Sequence, residues 1–121
     1  MVASDPKNVL EEKQPSTAEE FVNRGWAKKA SGNLDDAEAN FRKAISQKPD
    51  LVEAHYGLGL VLKAQDRRQD CIQSFEKVIE LIDRGIDDRV RGEMLRRLSL
   101  AHINQLRSGD WGLEQEIWKH K

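Results

Sequence analysis

The stretch "GNLDDAEANFRKAISQKPD", residues 32–50, reads as one amphipathic helix stopped by a proline, and a degenerate copy of it follows. Shifting the sequence by 34 residues lays "DRRQDCIQSFEKVIELIDR", residues 66–84, beneath it. Asp36 then falls over Asp70, Phe41 over Phe75, Lys43 over Lys77 and Ile45 over Ile79. Comparing all of 18–51 with 52–85 adds Glu19/Glu53, Gly25/Gly59, Lys29/Lys63 and Ala30/Ala64, eight identities where average residue usage would give about two. A fixed period of this length is the signature of a solenoid, in which each unit buries its apolar face only against its neighbours.

Working outward, Thr17 with Glu20 makes a capping-box pair, so ordered structure is expected to begin there with a helix running to about Ser31. Gly32-Asn33 breaks it, and Asp35 or Asp36 starts the next helix, where Ala37, Phe41, Ala44 and Ile45 share a face until Pro49. A third helix is expected from about Asp50 to Ala64, a turn at Asp66-Arg67, and a fourth from about Gln69 to Asp83, closed by Gly85. Val90, Met94, Leu95, Leu98, Ala101 and Leu106 mark a fifth helix, broken by "SGDWG" at 108–112, and Leu113, Ile117 and Trp118 mark a short last one. The fold class is therefore all-α with about six helices. Residues 1–17, with Pro6, Pro15 and only Val9 and Leu10 as apolar anchors, read as a flexible arm ahead of repeats at 18–51 and 52–85. Residues 86–121 read as an irregular third repeat or cap.

Composition narrows the function. Lys plus Arg (20) nearly cancels Asp plus Glu (21), so no global field draws the chain toward nucleic acid or an anionic membrane. The longest apolar run, residues 56–62, is far short of the roughly 20 residues that cross a bilayer. The single cysteine, Cys71, precludes an intramolecular disulfide, and with no basic-then-apolar leader at the start a cytoplasmic location is the expectation. His55, His102 and His120 are scattered, with no metal-ligand spacing around any of them, so neither metal, cofactor nor catalytic residue is expected. Gly57 and Gly59 lie inside a helix, which is not where a phosphate-binding loop sits. Arg84, Arg89, Arg91, Arg96 and Arg97 invite a phosphate or RNA reading, but Glu93 stands four residues from both Arg89 and Arg97 and suggests an ion-paired, solvated face. Trp111 and Trp118 read as closing the end of the core rather than as an interaction hot spot.

Helix pairs of this period, with Gly in the first helix, Ala-x-x-x-Phe in the second and Pro at the close, resemble the tetratricopeptide repeat family. Phe21, Gly25, Ala37, Phe41 and Pro49 carry the resemblance in the first copy, and Leu58, Gly59, Cys71 in the alanine place, and Phe75 carry it in the second. It covers residues 18–85. Arg24 and Lys28 depart from it, standing where the family has an apolar residue and a tyrosine, and Asp83 replaces the second closing proline. The "GDW" turn also comes nine residues late, which implies an elongated first helix in the third unit.

The resemblance implies a right-handed solenoid that acts as a non-catalytic protein-binding adaptor, holding a peptide or partner helix in a concave groove lined by the first helix of each pair. It places Glu19, Val22, Trp26 and Lys29 there from the first copy and Glu53, Tyr56, Leu60 and Lys63 from the second. The same side chains could instead pack one first helix against the next. At the positions where some members grip a peptide's terminal carboxylate with Lys and Asn, this chain has Val22, Trp26 and Gly57, which cannot do so. Two other functional readings accompany the adaptor: self-association through the incomplete C-terminal unit, and RNA contact through the arginine helix.

Overall fold

Thr17 opens the first helix as expected. In the computed structural model, which describes residues 15–86 and 89–108, Glu20 N–H donates to Thr17 Oγ1 at 3.1 Å and Thr17 N–H donates back to Glu20 Oε1 at 3.2 Å. Helix α1 is Ala18–Ala30, α2 Leu34–Gln47, α3 Val52–Ala64, α4 Arg68–Asp83 and α5 Arg89–Ser108. Every regular element among the described residues is helical. Most of the expected arm, and the expected last helix with Trp111 and Trp118, lie outside the described residues.

Boundaries differ from expectation by a residue or two, for local reasons. Helix α2 begins at Leu34 because Asn33 caps it, its side-chain oxygen accepting from Asp36 N–H at 3.4 Å, so Asp35 and Asp36 fall in the first turn. Helix α3 begins at Val52, after Asp50 and the cap residue Leu51 have completed the turn that Pro49 starts. The larger correction is in α5. Its buried residues are Gly92, Leu95, Ser99, Ala101 and Ile103, whereas Val90 and Met94, two of the apolar residues that marked the helix, are 80% and 57% exposed. The apolar residues of α5 therefore lie on two faces.

The two repeats close their first helices with the same turn. Asn33 N–H reaches back to Lys28 C=O at 2.9 Å, and 34 residues later Arg67 N–H reaches Leu62 C=O at 2.9 Å. Both turns need a left-handed residue: Gly32 has φ +84° and its counterpart Asp66 has φ +61°. A third turn of this kind follows α4, with Gly85 at φ +80° and Ile86 N–H on Leu81 C=O at 3.1 Å.

Helix α1 packs on α2 and α3 on α4, with α2 against α3, α4 against α5 and α1 also touching α3. Phe41 and Phe75, both fully buried, fill the seams. A β-carbon placed on Gly25 would stand 2.9 Å from Phe41 Cζ, and one on Gly57 would overlap Phe41 Cε1 more deeply still. Phe41 is thus held between backbone on α1 and backbone on α3. Phe75 repeats half of this: a β-carbon on Gly59 would lie 2.8 Å from its Cε1. On the side toward α5, the His102 ring lies parallel to Phe75, 4.6 Å between centroids and 4° between planes.

Three sets of outcomes are expected. Gly57→Ala gains about 1 kcal/mol of helix propensity but forces a β-carbon into the Phe41 ring, an overpacking that costs about 1–3 kcal/mol, so its urea midpoint should fall. Phe41→Ala and Phe75→Ala should each lose about 3–5 kcal/mol. At the turns, Gly32→Ala should lose about 1 kcal/mol, while Asp66→Gly should be neutral or stabilising, because only the second relieves a left-handed side-chain residue.

Candidate protein-binding groove

The residues expected to line the groove recur at spacings of three, four and three along α1 and α3, which puts each set on one helical face. Val22 is an exception in kind. At 3% exposure it belongs to the core beside Ala18 and Phe41, and it backs the row without presenting a surface. Trp26 is partly buried, its ring edge-on to Phe41 at 5.1 Å and 80°. Tyr56 repeats this against Phe75 at 5.6 Å and 62°. Leu60 packs partly buried against the same core. Each aromatic thus rests on the seam phenylalanine of its own repeat and leaves an outer part of its surface open.

Both expected rim carboxylates are answered within the fold. Glu19 accepts from Lys48 Nζ at 3.1 Å, and a backbone hydrogen bond followed by that lysine lowers its carboxyl below the ordinary carboxylate value. Glu53 pairs with Arg91 of α5 at 3.2 Å. Lys29, partly buried at the end of α1, joins no ion pair among the described residues.

Sequence reasoning missed His102. Helix α5 brings its ring into the row, where Lys63 Nζ donates to Nδ1 at 3.1 Å. An ammonium can only donate, so the ring proton sits on Nε2 and points to Tyr56 Oη at 3.4 Å. Burial against α3 and α4, and then the Lys63 charge, push the His102 pKa down to about 4, so the ring is neutral at physiological pH. The signal was available: Leu95, Ser99, His102 and Leu106 follow one another at four, three and four, the period of the face that α5 buries. A histidine in that series is a neighbour of the second repeat, not a scattered surface group.

The arginines of α5 are paired differently from expectation. Glu93 joins none of the ion pairs among the described residues. Arg91 meets Glu53 of α3, Arg96 meets Asp83 of α4 at 2.8 Å, and Arg107 meets Glu76 of α4 at 2.8 Å. These pairs brace α5 against the preceding repeat, and at their exposure each contributes about 0–1 kcal/mol.

Cys71 is fully buried, its Sγ donating to Gly59 C=O at 3.2 Å, and burial raises its pKa to about 11, the opposite of what a nucleophile requires. Among the described residues no group of three His, Cys, Asp or Glu side chains could hold a metal ion, and no helix is long and apolar enough to cross a membrane. What the site offers is shape, apolar surface and a few placed charges.

Residues 25–66 match a family model described as the TPR repeat, and residues 52–83 match another described as the tetratricopeptide repeat. No curated protein matches the chain significantly.

The histidines set an expected pH dependence. His55, held by Pro49 C=O at 2.8 Å, also has a lowered pKa, chiefly through burial. A histidine whose folded pKa is depressed contributes stability that is fully present above its unfolded value near 6.5 and is lost as pH falls toward the folded value, about 4 for His102. Urea midpoints should therefore drop between pH 6.5 and 4.5, before the carboxylates titrate. His102→Gln, which hydrogen-bonds without titrating, should flatten that slope, leaving the part due to His55.

Proposed function

Because the chain belongs to the tetratricopeptide repeat family through residues 25–83, we propose that it is a non-catalytic adaptor that holds a peptide or partner helix on the row formed by the first helices. Repeats of this family generally mediate protein–protein interaction. The observation that carries the reading is the set Trp26, Tyr56 and Leu60: large side chains on adjacent first helices, each supported from below and partly open above. Aromatic groups held rigidly in this way are the usual anchors of an interface. Lys29 and Lys63 frame them, while Glu19 and Glu53 are engaged by Lys48 and Arg91. The preferred ligand then carries apolar anchors with at least one Asp or Glu placed for Lys29. With its one thiol buried and unreactive, the protein suits a reducing cytoplasm. The RNA reading is the weaker one, because Arg91, Arg96 and Arg107 are turned to carboxylates of the fold.

Selection from a random displayed-peptide library tests this. Peptides combining apolar residues with Asp or Glu are expected, and Leu60→Glu and Lys29→Glu should each weaken them at least about tenfold with helical content unchanged. Lys43→Glu, on the second helix α2, should change affinity less than about twofold. Amidating the peptide's C-terminus should also have little effect, since Val22 lies in the core and Gly57 beneath Phe41. Selected peptides indifferent to Leu60→Glu would move the binding surface off the row.

A further inference from the structure

The row carries one hydrogen-bond donor that the fold itself leaves unused. His102 Nε2–H points to Tyr56 Oη at 3.4 Å, so the phenol oxygen accepts and its own hydrogen turns elsewhere. Among the described residues nothing accepts that hydrogen. Tyr56 is only partly buried, and a donor whose oxygen is already held is left for whatever occupies the row. Both rings of the arrangement rest on one side chain: His102 lies parallel to Phe75 at 4.6 Å, and Tyr56 lies edge-on to it at 5.6 Å.

The two repeats differ at this point. Lys29 joins no ion pair among the described residues, whereas its counterpart Lys63, 34 residues on, donates to His102 Nδ1 at 3.1 Å. Ammonium, imidazole and phenol therefore form a chain in which each group donates to the next. Its far end is the Tyr56 hydroxyl, seven residues or about 10 Å from Lys63 along α3. Hydrogen bonds in line polarise one another, and a chain that begins at a cation favours an anion at its other end. A carbonyl would satisfy the hydroxyl, but a carboxylate accepts from it with about twice the strength.

We propose that the Tyr56 hydroxyl is a specificity determinant of the row, donating to a second Asp or Glu of the partner peptide, with His102 and Lys63 as the residues that position its hydrogen. The inference rests on the reading of the row as a peptide site, and it adds where the second acid is recognised. In the first repeat an acidic residue meets Lys29 directly. In the second it meets a tyrosine two turns away from the matching lysine. The place of Tyr56 is taken by Val22 in the first repeat, so the device belongs to the second alone.

The probes are peptides selected from the displayed library on the full wild-type chain, with their acidic residues replaced one at a time by the corresponding amides. Tyr56→Phe, which keeps the ring, should weaken the parent peptide about tenfold. One amide replacement should weaken binding to the wild type by a similar factor and binding to Tyr56→Phe hardly at all, because the two changes remove the same bond. His102→Leu should weaken the parent comparably, whereas His102→Gln, whose amide can accept from Lys63 and donate to Tyr56, should retain most of the affinity. The imidazole nitrogen-15 shifts of His102 at pH 7 should show the proton on Nε2 in the wild type and a mixture of tautomers in Lys63→Met. Additive losses for every acidic residue, a wild-type ring protonated on Nδ1, or unchanged binding to His102→Leu would overturn the proposal. Peptides that lose binding with Leu60→Glu but not with Tyr56→Phe would overturn it and leave the row standing, and peptides indifferent to both would remove the row as well.

Discussion

The fold depends on one close contact, a phenylalanine ring pressed onto helix backbone where no side chain stands. Phe41 sits between Gly25 on α1 and Gly57 on α3, so a single ring fixes how α2 meets its own repeat and how that repeat meets the next. Helices normally approach to about 8–10 Å with side chains interleaved, and removing the β-carbon at the contact lets a large ring occupy the space instead. The second seam keeps one such contact, Gly59 under Phe75, and replaces the other with the stacked ring of His102. That exchange is what lets α5, longer than α1 or α3, bring a polar side chain into the row.

Much of this was legible in the sequence because the repeat writes each constraint twice. Gly25 and Gly59, Phe41 and Phe75, and the pair Gly32 and Asp66 are separated by the same 34 residues, and each pair does the same physical work in both copies. What occurs once was harder to read. Gly57 has Asn23 as its counterpart and His102 lies where the period has slipped, so neither had a second instance to mark it. In α5, periodicity collected apolar residues from two faces, because a stripe facing outward has the same spacing as one facing the core.

Of the candidate site, the row of residues could be placed from the sequence, but their depth and charge state could not. Val22 and Trp26 stand four apart on one helix, yet one is enclosed and the other half open, a difference that spacing along one helix does not carry. Charges were misread for a related reason. A within-helix partner for Glu93 is visible from spacing alone, whereas Arg91 to Glu53 and Arg107 to Glu76 span 38 and 31 residues and exist only once the helices are stacked. Long arginine side chains find those carboxylates because α5 lies along both preceding helices.

Cys71 stands where the first repeat has Ala37, and the substitution gives the two repeats different chemical visibility. Its sulfur is sealed between α3 and α4 with its hydrogen on Gly59 C=O, so a thiol-directed reagent can reach it only while those two helices are parted. The rate of its modification is then the opening equilibrium of the second repeat multiplied by the intrinsic rate of an exposed thiol. The chain thus carries a clock for the breathing of one repeat, built into the seam, with nothing comparable in the repeat before it.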